Sequence, residues 1–229
     1  MAPIPTMTAS GPDSLVWWGW VGGHGGLILQ RLEEHLSLTF EAVLIGAVLS
    51  APLTLLARNR PRLQPWLIGF TGTLYTIPSL ALFALLGPLT GFTTRTTSEI
   101  ALVSYTLLIL LRNFLAGLSE VPAEVVDAAT AMGYPPLRRL WEVEVPLALP
   151  GVVAGLRIAT VTTIGLVTIA ALFGQGGLGA LILDGLNRDF HTPVVVGSAL
   201  SVALAVVADV ALLGVERTLT PWSRRRMPT

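Results

Sequence analysis

The chain contains no cysteine and no lysine. Without cysteine there is no disulfide and no thiolate metal site, and the redox compartment leaves no trace in the sequence. Without lysine there is no Walker A loop, because that loop needs its Lys to reach the phosphates of a nucleotide. The chain is therefore not a P-loop ATPase. Charge is scarce as well: 12% of the residues are charged against 52% hydrophobic, a balance that excludes an ordinary water-soluble domain. The three histidines, His24, His35 and His191, fall outside the long apolar runs without ligand spacing, so no metal site is expected. No nucleophile and base can be assembled from the sequence, and no enzyme activity is expected.

What the sequence has is apolar runs of about twenty residues, the length that crosses ~30 Å of hydrocarbon as a helix with its backbone polar groups satisfied internally. Five spans are predicted, over residues 38–57, 66–88, 99–117, 147–172 and 193–214, which makes the fold class an all-α membrane protein. Arg58, Arg60, Arg62, Arg112, Arg138, Arg139, Arg217, Arg224, Arg225 and Arg226 fall on one side of these spans. Only Arg31, Arg95 and Arg188 fall on the other, so the first side is cytoplasmic, the N-terminus outside and the C-terminus inside. Residues 1–14 lack a basic start and an apolar core and read as a tail, not a signal peptide. Trp17, Trp18 and Trp20 follow, broken by Gly19, Gly22, Gly23, Gly25 and Gly26. This stretch is too short and glycine-rich to span, and reads as an interfacial or re-entrant element at headgroup level. The division expected is an external tail and interfacial segment (1–36), a membrane domain (37–216) and a cytoplasmic tail (217–229). In that tail Trp222 lies at the interface and Arg224, Arg225 and Arg226 lie near anionic headgroups.

The cytoplasmic loop, residues 118–150, is the most informative segment. Pro122 suits a first helical turn, Glu120 and Glu124 sit near its positive end, and Gly133 is a left-handed stop, which predicts a helix over 122–132. Val125, Ala128, Ala129 and Met132 share one face of it, leaving Glu124 and Asp127 more exposed. Pro135 and Pro136 start a second short helix with an apolar stripe of Leu137, Leu140 and Trp141, while Arg138, Arg139 and Glu142 face elsewhere. The product is a helix-turn-helix knob on the membrane, with Pro146 and Pro150 marking re-entry.

The spacing of this loop carries a resemblance. Asp127, Ala128 and Ala129, then three residues, Gly133, nine residues, Val143, one residue, Val145 and Pro146 is similar to the Glu-Ala-Ala (EAA) loop of bacterial ATP-binding-cassette importer permeases, with conservative changes at the Glu, Ile and Leu positions. The resemblance implies a type I importer permease fold, with the first loop helix seated in a groove of a cytosolic ATPase. It passes that coupling role to Asp127, Ala128, Ala129, Gly133 and Pro146. It extends over about residues 35–222. The run from Tyr75 to Leu82, Leu111 to Asn113, Pro146 to Pro150 and Gly174 to Gly179 look like permeases that import glycine betaine, choline, carnitine or proline betaine. Permeases for methionine and other amino acids are the near neighbours.

Gly174, Gly176 and Gly179 also spell a dinucleotide fingerprint, but they follow a long apolar helix instead of a strand and lie on the outer side, so a tight external turn or re-entrant piece is expected. Small residues recur every four positions, at Gly151, Gly155 and Ala159 and again at Gly197, Ser201 and Ala205, as close helix packing requires. The second span is polar and breakable, and Thr76, Pro78 and Ser79 are candidates to line a substrate route. Asp209 and Arg157 lie at similar depth in different spans and are a candidate intramembrane ion pair. Glu41 and Glu99 lie near outer ends, in reach of water.

The resemblance implies the following partners: cytosolic ATPases that use ATP and Mg, a second permease copy or a paralogue, and an external substrate-binding protein. The chain itself binds no cofactor and no nucleic acid on this reading. A channel or ion-coupled carrier is the competing class, and it would show inverted repeats and an embedded ionisable site for a coupling ion.

Overall fold

A backbone in hydrocarbon must satisfy its own hydrogen bonds, and the chain does so by helices. The computed structural model describes residues 15–221, and no strand occurs among them. Residues 1–14 lie outside the described residues, as do Trp222 and the Arg224, Arg225 and Arg226 cluster. In order the elements are α1 (Trp18–Gly23), α2 (Gly25–Asn59), α3 (Gln64–Thr76), α4 (Ser79–Thr90), α5 (Arg95–Ser119), α6 (Ala123–Ala131), α7 (Pro136–Arg139), a π turn (Leu140–Glu144), α8 (Val145–Ala170), a 3-10 turn (Ala171–Phe173), α9 (Gly177–Asn187) and α10 (His191–Leu219). Four helical stretches are long and apolar enough to cross a membrane: α2, α5, the run Pro136–Phe173, and α10. The pair α3 and α4 makes a fifth when taken as one broken span.

The first span is longer than expected. Helix begins at Gly25, not near Leu38, and α2 runs 35 residues. The glycines assigned to the external segment are absorbed because Gly25 and Gly26 open α2, where nothing crowds them. His35, expected outside the spans, is fully buried in α2. Its Nε2 lies 3.0 Å from the Ile164 carbonyl and its Nδ1 accepts from the Leu178 N–H at 3.3 Å, which fixes the tautomer with the proton on Nε2. The Trp-Gly segment forms the six-residue α1, and Trp17 and Trp20 pack edge-on against Phe190.

The second span breaks at Ile77 and Pro78, and its halves meet at 96°. Proline disfavours helical backbone in the residue before it, and Ile77 is extended, φ −66° and ψ 125°. The freed Ile77 carbonyl accepts from the Tyr105 hydroxyl of α5, which holds the break against the bundle.

Helix α5 is the most enclosed element. Leu38 and Ala42 of α2, Leu82 and Phe83 of α4, Ala101, Leu102 and Tyr105 of α5, and Val167 and Ala170 of α8 form one core. Small residues set the spacing. A methyl placed on Gly151 would lie 2.6 Å from the Gly117 Cα, and one on Gly155 the same distance from Asn113 Cβ, so α5 and α8 touch backbone to backbone. Gly197 stands likewise against the Leu178 carbonyl of α9.

The tight turn or re-entrant piece expected after α8 is a glycine turn followed by a helix, α9, that the sequence reading did not specify. This apolar eleven-residue helix fills the outer segment between α8 and α10. Gly174, Gly176 and Gly177, with φ of 77°, 74° and 69°, make the turn into it, a conformation that L side chains resist. Its first N–H groups are taken by α2: Gly177 donates to Glu34 at 2.9 Å and Leu178 to His35. Arg31 holds Glu34 at 2.8 Å. Nearby, Arg95 at the start of α5 binds Glu41 at 2.6 Å and Glu99 at 3.2 Å, so the two outer carboxylates are paired with an arginine.

Candidate functional site

The knob is built where α5 ends. Pro122, extended at ψ 134°, caps α6, and its carbonyl accepts from Val125 at 3.1 Å. Proline has no N–H to leave unsatisfied there. At the other end Gly133 takes φ 84°. Its N–H donates to Thr130 at 3.0 Å and the Tyr134 N–H to Ala129 at 3.1 Å, the paired bonds of a Schellman stop. The observed α6, Ala123–Ala131, is the expected helix less a residue at each end.

The faces of α6 differ from expectation. Ala129 alone is buried, at 1% exposure, whereas Val125, Ala128 and Met132 are exposed together with Glu124 and Asp127. A nine-residue helix resting on one line of contact has nothing to cover the rest. Met132, Leu137 and Trp141, at 70%, 69% and 59% exposure, extend this apolar surface over the second half of the knob.

The second loop helix is also not a separate short helix. From Pro136 it runs through α7 and the π turn into α8, continuous to Phe173. Pro146 supplies the reason. Its ring would clash with the carbonyl four residues back, and the widened turn before it, with Val145 donating to Leu140, makes room. Pro146 thus occupies the first turn of α8 without ending the helix.

Sequence reasoning missed the fastening of the knob. Glu144 is 1% exposed. Its Oε1 accepts from Arg139 Nε at 2.8 Å, and its Oε2 pairs with Arg58 at the end of α2. Arg139 also donates to the Thr130 hydroxyl of α6 at 2.7 Å. One buried carboxylate therefore ties α6, the π turn and α2 together. The available signal was the pair Arg138 and Arg139 a few residues ahead of a Glu just before Pro146, but nothing in the spacing brings Arg58 to it. Outside this triad Arg138 lies over the Tyr134 ring at 4.9 Å and grips Glu142 at 2.9 Å.

The other candidates are placed apart from the knob. Thr76, Pro78 and Ser79 form the α3–α4 break, with Thr76 and Pro78 exposed and the Thr76 hydroxyl donating to the Thr73 carbonyl at 2.7 Å. Arg157 of α8 makes two bonds to Asp209 of α10, Nε to Oδ1 at 3.0 Å and Nη2 to Oδ2 at 3.1 Å. A third bond, 3.2 Å to Glu216, was not foreseen. The cluster borders an apolar cleft of about 550 Å³ between α8 and α10.

Closely packed apolar helices with one broken span and an exposed two-part knob at one end are the architecture of a membrane transport component. The chain belongs to the family of binding-protein-dependent transport system inner membrane components, whose model matches residues 42–220. It is a transport subunit of that class, not an enzyme. It is similar to the glycine betaine/carnitine/choline transport system permease protein OpuCD of Bacillus subtilis (strain 168), 34% identical over 204 residues, or 89% of each chain. It is also similar to the osmoprotectant import permease protein OsmW of Salmonella typhimurium (strain LT2), 33% identical over 202 residues, 86% of this chain and 94% of that one. Its fold is shared with the inward-facing MetNI methionine ABC transporter, at a TM-score of 0.79, 23% identity and coverage of 86% of this chain and 98% of the other. At that identity the likeness is one of fold.

Proposed function

We propose that the chain is the permease subunit of an ATP-binding-cassette importer that takes up a quaternary amine osmoprotectant such as glycine betaine, choline, carnitine or proline betaine. The observation that carries the transport mechanism is the knob: a capped helix with Asp127 and Ala128 exposed, fastened through Glu144 to the bundle. Cytosolic ATPases dock there, and ATP with Mg is bound by them. Their closure favours one of two permease states, because the docked ATPase binds the two states unequally. The substrate class is supported by relatives that match along nearly the whole chain and are named for these solutes. The methionine reading has only the likeness of fold behind it.

A second permease copy or a paralogue completes the pathway. Val202, Val206, Val207 and Val210 form an exposed apolar face on α10. The α3–α4 break turns Thr76 and Pro78 outward, where a second subunit would enclose them. An external binding protein delivers the solute and carries most of the selectivity, since aromatic faces surround a quaternary cation without a proton donor. The knob end is cytoplasmic and the N-terminus external, as the arginine bias requires.

The test is uptake of labelled glycine betaine and choline in hyperosmotically stressed cells that lack redundant systems. Loss of uptake both on deletion of the chain and in a Gly133→Asp variant that still reaches the membrane supports the proposal. Undiminished uptake on deletion rules out the osmoprotectant assignment.

A further inference from the structure

At the knob end of the bundle, α2, α3 and α5 leave a cleft of about 510 Å³. Arg58, Gln64, Arg112 and Ser119 supply its polar wall and Ile68, Leu115, Ala116 and Leu118 its apolar one. Among the described residues no carboxylate lines it. Arg58 commits one edge of its guanidinium to Glu144, whereas Arg112 is exposed and has no hydrogen-bond or ion-pair partner among the described residues. Arg60 and Arg62, in the turn joining α2 to α3, are exposed and unpaired in the same sense.

We infer that this cleft binds the phosphodiester headgroup of an anionic phospholipid. Three features agree on that ligand. The planar guanidinium fork matches phosphate oxygens in pairs, and two forks, Arg58 and Arg112, face one cleft. The cleft is half apolar, which a soluble anion does not use and the glycerol and upper acyl carbons of a lipid do. Trp66, two residues beyond Gln64, is 76% exposed, and an exposed indole at a span end marks the headgroup level. Basic pockets between spanning helices on the cytoplasmic side are the usual seat of such headgroups. The inference rests on the membrane reading of the chain and is independent of the solute carried.

The experiment uses the purified full chain in phosphatidylcholine nanodiscs with or without phosphatidylglycerol, reading thermal stability and the lipid retained by native mass spectrometry. Phosphatidylglycerol should raise the melting temperature of the native chain and remain bound. Arg112→Gln should weaken retention about fivefold, the worth of one arginine near a headgroup, and Arg112→Lys should recover part of it by restoring the charge without the fork. Arg188→Gln, at the opposite end of the bundle, is the charge-matched control. Equal retention of phosphatidylglycerol by the native chain, Arg112→Gln and Arg188→Gln overturns the site. Glycerol phosphate in solution should give no stabilisation, and a stabilisation equal to that by phosphatidylglycerol overturns the lipid assignment in favour of a soluble phosphoester.

Discussion

Arg157 grips Asp209 along one edge of its guanidinium, Nε and Nη2 at 3.0 and 3.1 Å, and so joins α8 to α10 through a charge pair inside otherwise apolar helices. Because Arg157 also reaches Glu216, it holds two carboxylates, and among the described residues each carboxylate pairs with Arg157. Arg157→Ala should therefore destabilise the protein more than Asp209→Asn or Glu216→Gln. A double-mutant cycle on Arg157 and Asp209, read from unfolding in detergent, should give a coupling of about 1–2 kcal/mol. Additive single effects would mean that the pair contributes no stability.

Glu144 is the second point at which charge decides stability. Glu144→Ala leaves Arg58 and Arg139 without their shared carboxylate, and breaking a buried pair costs about 3–5 kcal/mol. The exposure of the arginines, 30% and 24%, reduces this to about 2 kcal/mol. The expected result is a lower melting temperature and reduced ATPase co-purification, with the chain still inserted. Normal co-purification would show that the knob is positioned by its helices alone.

Close approach of α5 and α8 predicts a steric effect. Gly151→Val forces a branched side chain against Gly117, a site with no room even for a methyl. A loss of about 1–3 kcal/mol or more is expected, the usual cost of overpacking, read as thermal stability in detergent. Gly22→Val, where nothing lies within 4 Å, should cost far less.

His35→Leu removes the acceptor of the Leu178 N–H and the partner of the Ile164 carbonyl. The Leu178 N–H, in the first turn of α9, is left buried and unsatisfied at about 1–3 kcal/mol, whereas the Ile164 carbonyl keeps its place in the helical bonding of α8. Hydrogen exchange should rise at the start of α9, where Leu178 sits. Unchanged exchange there would show that Glu34 alone holds the turn.

The absence of cysteine makes orientation directly measurable. Single substitutions Arg62→Cys and Arg188→Cys give a chain with one thiol each. An impermeant thiol reagent should label the second in intact spheroplasts and the first only after lysis. The reverse pattern would invert the topology.

The spans and the knob were legible because hydrocarbon and helix ends impose local rules. Apolar run length gives a crossing helix, and Pro122 and Gly133 give a start and a stop without reference to anything distant. The 96° break was legible as a weakness at Pro78, but its angle depends on the Tyr105 bond to Ile77. His35 was misjudged because a histidine at a span edge looks wet until α8 and α9 are folded over it. Arg58 with Glu144 joins residues far apart in sequence, and no spacing rule could have paired them. The exposed face of α6 was misread because an amphipathic pattern says which residues are apolar, not whether anything in the same chain covers them.

Pro136 to Phe173 form one unbroken helical run of 38 residues, with the π turn inside it. At 1.5 Å per residue such a rod is about 57 Å long. A tilt of about 5° applied at its knob end displaces the far end by about 5 Å, close to the rise of one helical turn. Passed along this run, a small rocking of the knob becomes a displacement of one helical turn beside α9, on the opposite face of the membrane.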